Sequence, residues 1–452
     1  MNDQCLFTPG RYRPRLSCVA VAACLVLSSL NSPSSAQGAD VAKQAADTHV
    51  AVCITPSATI LRRPAGEKTW QIVNQKGTLN SGDLLVGMPG AKLNSQSGAV
   101  QLTQLANLDG QSRNPILECA VILHSNPKAD LDFTLDRGRV SVENLKKSGA
   151  ALVRLHVYNE IWDLTLSEPG SALAIELYAR WARGVPFKKE PDAKHVPSAR
   201  MVMVVLKGEV NLKHLHHQLA LSAPPGPAMI EWDNVAGQDE SPEHLDRLPA
   251  WAGPQDEENP VVKMKLAALQ RFRQAVLKKP IKEVLEEYVV SEEPSNRRLA
   301  VILMGALDDI PNLGAAMRET KHTDVWENGV LALRHWIGRG PGQDQIIYKA
   351  LIDSGRYKPV QAETVLQLLH SYGDDELARP EIYQTLIDYL DHDLLGIRGL
   401  AYWHLSRLVP AGRTLAYNPL GSKEEREAAI QKWRKLVPPG TVPERSRAPV
   451  KK

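Results

Sequence analysis

The chain has 452 residues, with 54 Lys and Arg against 51 Asp and Glu and a formal net charge of +3. That length is too great for one compact core and suits two or three domains. Charge this balanced leaves no electrostatic footprint for nucleic acid or anionic lipid, which argues against partners held mainly through phosphates.

At the N-terminus Arg11, Arg13 and Arg15 precede the apolar run LSCVAVAACLVLSSL over 16–30, and small residues follow at Ser34 and Ala36. That order predicts a secretory signal over 1–36 with cleavage after Ala36. The run falls short of the ~18–20 residues that span a bilayer, so a permanent anchor is not expected. Val21-Ala22-Ala23-Cys24 also resembles a lipobox, but apolar residues continue past Cys24, which favours cleavage over lipidation. Residues 37–452 carry 51 basic and 50 acidic side chains. No later segment approaches spanning length, so the cleaved product is expected to be periplasmic or secreted, without membrane insertion.

Residues 37–49 are small and polar and read as a flexible leader. From 50 to 234 short apolar runs with a period of two alternate with Gly, Pro and Asn, which predicts strands at roughly ten-residue spacing. They include VAVCITP, ATILRR, WQIVN, AVQLTQLA, AVILHS, LDFTLDRGRVSVEN, ALVRLHVYN, IWDLTLSE, ALAIELYAR, RMVMVVLKGEVNL, QLALSA and AMIEW. The expected fold there is an all-β sandwich or a solenoid-like barrel. Gly138 and Gly208 each sit between two β-rich runs, where a bulge or tight turn would need positive φ. The polar stretch over 184–199 reads as a long surface loop. Cys53 and Cys119 both lie in strand-like runs and are a candidate disulfide. Their bond would close a loop worth about 4 kcal/mol in the chain-entropy model; the alternative is two reduced, buried thiols.

The stretch over 235–260 is rich in Pro, Gly, Asp and Glu and reads as a linker, with Trp251 as one anchoring contact. From 261 to 437 apolar residues recur every three to four positions, and helical segments follow at 15–25 residue intervals. Ser295, Pro359, Pro380 and Ser422, the last with Glu425 as a capping box, mark helix starts. Gly338, Gly355 and Gly373 mark ends. Two helices per unit of about 40 residues suit an all-α solenoid. The basic, Pro-rich segment over 438–452 reads as a disordered tail.

The chain lacks the Gly-x-x-x-x-Gly-Lys-Ser/Thr, His-Glu-x-x-His, Gly-x-Ser-x-Gly and Cys-x-x-Cys patterns. Ser125 and Lys128 have Ser-x-x-Lys spacing, but Pro127 places them in a turn. His214, His216 and His217 form the densest histidine group. On a strand His214 and His216 would share a face, yet no third ligand lies within the run, so solvated imidazoles are expected. Asp391, His392 and Asp393 read as a cap for the next helix. Trp336 and Trp403 end apolar stripes and read as core, whereas Trp326, beside Asp324 and Glu327, is the candidate partner contact. No catalytic residue, metal ligand or cofactor is assigned.

Three pieces of the β region, LNSGDL over 79–84, LDRGRV over 135–140 and VLKGEV over 205–210, resemble the FecR-like domain of exported bacterial surface-signalling and envelope proteins. The helical half is similar to HEAT-like repeats: Asp391-His392-Asp393 with Arg398, Ala401 and Leu405 fits their helix pattern, and Arg297, Ala300 and Met304 follow it more loosely. The segment LAYNPLGSKEEREAAIQKWRKLV resembles the end of such arrays in planctomycete-type envelope proteins. With the repeat architecture, the balanced charge and no convergent acid–base or metal set in the sequence, the expectation is a multidomain, exported, non-enzymatic binding or scaffold protein that recognises a protein or envelope polymer, in an oligomeric state the sequence leaves open. The alternatives are a polymer hydrolase using carboxylates near the junction (Asp233, Asp239, Glu243) and a sensor in surface signalling. Only about 15 residues precede the apolar run, too few for the cytoplasmic segment of the signalling regulators.

Overall fold

The structure, a computed structural model, describes residues 48–444 except 107, 111–115, 117, 191–194, 236–237, 240, 254 and 320. The expected signal, the leader up to residue 47 and the tail from 445 lie outside the described residues. A β-rich region precedes a helical one, in keeping with the change of hydrophobic period.

The strands are β1 His49–Cys53, β2 Ile60–Arg63, β3 Gln71–Ile72, β4 Thr78–Asn80, β5 Leu84–Gly87, β6 Lys92–Ser95, β7 Val100–Leu105 and β8 Cys119–His124. They continue as β9 Leu131–Asn144, β10 Ala151–Val157, β11 Glu160–Leu166, β12 Ala172–Arg180, β13 Ser198–His214, β14 His217–Ala223, β15 Met229–Asp233 and β16 Gln238–Asp239. The four that the sequence pattern does not predict, β4, β5, β6 and β16, are two to four residues long, too short to show a period.

Two sheets share these strands. One runs β16-β15-β13-β12-β9-β7-β6-β1-β4 and the other β14-β13-β11-β10-β9-β8-β5-β2-β3. β9 and β13 belong to both and carry the chain from one sheet to the other. In β9, Leu131, Phe133 and Leu135 face the core before the crossing, and Val140 and Val142 face it after. Inward residues five apart break a period of two. One extra residue, Asp136, absorbs the mismatch, since Ala120 pairs with Arg137 while Val121 pairs with Leu135. β13 repeats the device between Val205 and Val210, where Ala172 pairs with Lys207 and Leu173 with Val205. Gly138 and Gly208 sit at these bulges with φ of +95° and +73°. They lie inside continuous strands of 14 and 17 residues, so of the two expected geometries the bulge is the one formed.

Strands β2, β5 and β8 are apolar on both faces. Ile60, Leu85 and Val121 fill the core between the sheets, while Leu61, Leu84, Val86 and Ala120 pack into the core of the helical region. A strand covered on both sides reads as a continuous apolar run rather than an alternation. The helices therefore dock on the back of this sheet, and the helical core takes side chains from both regions while the core between the sheets stays separate.

Eleven α-helices are formed among the described residues: α1 Pro260–Val276, α2 Ile281–Val289, α3 Pro294–Ala306, α4 Ile310–Glu319, α5 Thr323–Ile337 and α6 Gln343–Asp353 come first. Then follow α7 Pro359–His370, α8 Asp374–Leu377, α9 Pro380–Tyr389, α10 Leu395–Leu408 and α11 Lys423–Leu436. Ser422 and Glu425 make the expected capping box on α11. The Asp391–Asp393 segment does not cap α10 through its carboxylates. Arg398, in the first turn of α10, instead donates to the carbonyls of His392 at 2.6 Å and Asp393 at 2.8 Å, and Asp391 turns to Arg426 at 3.5 Å. Arg297 makes the same backward reach in α3, to the carbonyls of Ser291 at 2.7 Å and Glu292 at 2.9 Å.

The linker is anchored at Trp251 as expected, and part of the stretch expected as a surface loop is docked. Trp251 and Ala252 pack on Ala174, Val202 and Val204, and the Trp251 ring lies 5.5 Å from the Arg139 guanidinium, which pairs with Glu176 inside the sheet. Val185 and Phe187, from the predicted 184–199 loop, pack against the helical core, and the Val185 carbonyl lies 3.1 Å from His370 Nδ1.

His404 on α10 is buried, and its Nε2–H donates to the Leu368 carbonyl at 2.7 Å. Burial lowers its pKa to about 3, against the partial opposition of that hydrogen bond, and Arg334 and Arg407 push it further down. An unfolded chain protonates His near pH 6.5, so below that value it takes up a proton that the native state refuses. The contribution to stability is complete above pH 6.5 and is lost as pH falls toward 3, by at most about 1.4 kcal/mol per pH unit. The urea midpoint should therefore drop between pH 6.5 and 4, and His404→Gln, which keeps an N–H for Leu368, should flatten that slope. An unchanged slope in the variant would refute this assignment.

Candidate functional site

The structure disperses the residues that the sequence singles out. Cys53 and Cys119 are both free, buried thiols in the core between the sheets, and burial pushes the Cys119 thiol up to about 12. His214 is buried, stacks on Trp162 at 3.9 Å and contacts Glu160 at 2.9 Å, whereas His216 and His217 are exposed at the β13–β14 hairpin. His214 and His216 thus do not share a face, because the chain turns at Leu215, where φ is +52°. Ser125 and Lys128 sit in the turn between β8 and β9. The Asp233 carboxylate accepts from the Val235 N–H at 2.7 Å, and Glu243 is exposed and pairs through its backbone with Met229.

Trp326 on α5 is half-buried against Gly399 of α10, in a shallow groove with Tyr402, Trp403 and Arg407. Arg334 and Arg407 lie over the Trp403 ring at 5.1 and 4.2 Å, which leaves that tryptophan half-buried rather than in the core.

The densest chemistry lies where the sheet meets the helices. The last carbonyls of a helix have no partner within it and attract cations and N–H donors. At the end of α3 the carbonyl of Gly305 accepts from Arg339, Ala306 from Arg137 and Leu307 from the Trp70 indole, at 3.0, 2.7 and 2.8 Å. At the end of α5 the Ile337 carbonyl accepts from the Trp181 indole at 3.0 Å. The β region thus caps two helices. Glu118, just before β8, neutralises the guanidinium groups that do so: Arg137 donates to it at 2.7 Å, Arg339 also pairs with it, and His335 lies 3.4 Å away. Burial alone would raise the Glu118 carboxyl, but His335, Arg339 and Arg137 together hold it well below the usual carboxylate range. Asp308 extends the network to Arg339 and Arg63, both at 2.9 Å.

Beside Glu118 lies a cavity of about 470 Å³. β-region side chains such as Leu61, Val86 and Met88 line one wall, and Met264, Leu299 and Ile302 of α1 and α3 line the other. Two carboxylates, Glu118 and exposed Glu327, and two cations border it: exposed Arg298, 3.9 Å from Asp324, and half-buried Lys265, whose ammonium donates to the Leu108 carbonyl at 2.6 Å. Burial lowers the Lys265 pKa, with Asp109 opposing and Arg298 reinforcing the shift. A site of this size, mostly apolar with a few converging polar groups, suits a small ligand. Asp233 and Glu243 do not line it. Sequence reasoning misses the site because Glu118, Arg137 and Arg339 are far apart along the chain. The readable signal was the two-faced apolarity of ATILRR, GDLLVG and ECAVIL, which announces a second covering layer. Comparison of the chain with protein-family models, with curated proteins and with solved structures finds no match among them.

Proposed function

We propose that this chain is an exported, non-enzymatic binding protein of the bacterial envelope, and that the cavity at the seam takes an elongated apolar molecule carrying an acidic group. The carrying observation is the apolar cavity of about 470 Å³ with Lys265 and Arg298 at its border. Apolar walls favour a hydrocarbon body, and the two cations favour an anionic head over a neutral one. The paired bulges at Gly138 and Gly208 support a FecR-like β region, since two of the three resembling segments, LDRGRV and VLKGEV, place a glycine between inward residues five apart. The matching reach of Arg297 and Arg398 supports HEAT-like repeats, as do Ala300 and Ala401, each fully buried three residues further on.

The test is titration with a long-chain fatty acid and with the matching neutral alcohol. The acid is expected to bind saturably, one per chain and more tightly than the alcohol. Arg298→Ala should weaken the acid at least tenfold, and Ile302→Trp, which fills the space, should abolish binding of both. Equal binding of acid and alcohol, or an Ile302→Trp protein that still binds, would overturn the reading.

The groove holding Trp326 favours a second reading, recognition of a protein or envelope polymer. Half-buried aromatic side chains with Arg407 beside them match the residue types that dominate interface energies. Trp326→Ala should abolish co-sedimentation with envelope polymer while leaving fatty-acid binding intact; undiminished co-sedimentation refutes it.

A further inference from the structure

We propose that His124, Asp132 and His156 form a binding site for one divalent first-row transition-metal ion on the outer face of the β region. The three residues come from three neighbouring strands. Register places His124 of β8 opposite Asp132 of β9, and His156 of β10 opposite Thr134 of β9, two residues further along the same face. Their neighbours Leu123, Leu131, Phe133 and Leu155 point into the core, so period-two alternation turns all three ligands outward. The ligand atoms all lie within 4.8 Å of one another.

Two imidazoles and one carboxylate are the donor set of open zinc and non-haem iron sites, and imidazole also suits copper and nickel. The ion would take the place of two present contacts, His156 Nε2 to Asp132 at 2.8 Å and His124 Nε2 to Thr134 Oγ1 at 2.7 Å. Asp132 is already oriented, because Asn126 donates to its second oxygen at 2.7 Å. Such an outer partner fixes a carboxylate ligand and tunes its affinity. Arg154, a cation close enough to interact with Asp132, is engaged by Asp163 at 2.7 and 3.2 Å. The half-buried histidines leave the remaining coordination positions to water. None of the three residues lines the seam cavity, which β8 borders at its other end through Cys119, so the site is independent of the proposed ligand site.

The experiment is titration of the purified protein with Co²⁺ and Zn²⁺, read by visible absorption for Co²⁺, by calorimetry for Zn²⁺ and by thermal unfolding for both. One equivalent should bind, raise the unfolding temperature and be released by chelator. His124→Ala and His156→Ala should each lose that equivalent, and Asn126→Ala should weaken it by about tenfold. A His216→Ala/His217→Ala variant, altered only at the exposed hairpin, should bind as the parent does. Circular dichroism of the metal-free variants separates loss of a ligand from loss of the fold. Absence of saturable binding by the parent protein overturns the proposal. So does binding that survives in folded His124→Ala and His156→Ala, or that disappears with the hairpin histidines.

Discussion

Glu118→Ala is expected to destabilise the protein by about 3–5 kcal/mol, as removal of one partner from a buried ion pair does. The Glu118, Arg137 and Arg339 side chains are each less than a tenth exposed, so the variant leaves two buried guanidinium groups with only the more exposed Asp136 and Asp308 as counter-charges. Those same groups cap α3, and loss of the buried carboxylate they share weakens the docking of helices on sheet. Glu118→Gln should recover part of the loss, since the amide oxygen still accepts hydrogen bonds but carries no charge. The lowered Glu118 pKa implies stability that is present above the unfolded carboxylate range and lost as pH falls below it. Urea denaturation followed by far-ultraviolet circular dichroism is the measurement. Because Leu61, Val86, Ala120 and Trp181 sit in the helical core, both regions should unfold in one transition. A change below about 1 kcal/mol would show that the network is not held as described.

Gly138→Ala is expected to be as damaging or more so. At φ of +95° an added Cβ would stand 2.4 Å from the Glu118 carbonyl oxygen and 2.5 Å from Cys119 Cα. Both obstacles are backbone and cannot rotate away, so β8 must shift, and it carries Glu118 into the ion network. The conformational penalty alone is about 1–2 kcal/mol, and the collision adds to it. Gly208→Ala at φ +73° meets the Ser171 hydroxyl at 2.5 Å, a side chain that can turn, so its cost should be smaller. Gly149→Ala at φ +78° meets nothing within 4 Å and should cost only the conformational part, about 1 kcal/mol. Denaturation midpoints should rank Gly138 as worst, then Gly208, then Gly149. Any other order would mean that the bulge in β9 does not hold the close approach of β8.

Much of the architecture was legible because it depends on local periodicity. Runs such as ALVRLHV and IWDLTL alternate strictly and pair as the hairpin β10–β11, from Ala151 opposite Leu166 to Val157 opposite Glu160. The helices with long apolar stripes were equally clear, whereas α8, of four residues, has too few positions to show a stripe. The surface reading of 184–199 failed in part because two apolar residues in a polar stretch, Val185 and Phe187, are enough to dock a loop. Carboxylate capping at Asp391 and Asp393 failed because a guanidinium in the first helical turn reaches the same loop carbonyls with two strong donors.

By itself the amino-acid order determined the change from period two to period 3.6, the bulge glycines that break the first rhythm and the caps that frame the second. Each is a matter of which neighbours along the chain share a face. The packing of β2, β5 and β8 into the helical core, the capping of α3 and α5 by the sheet, and the convergence of His124, Asp132 and His156 were decided only in three dimensions. Those groupings join positions from 8 to more than 200 residues apart. Register and docking bring such residues together, and no pattern of spacing along the chain records either.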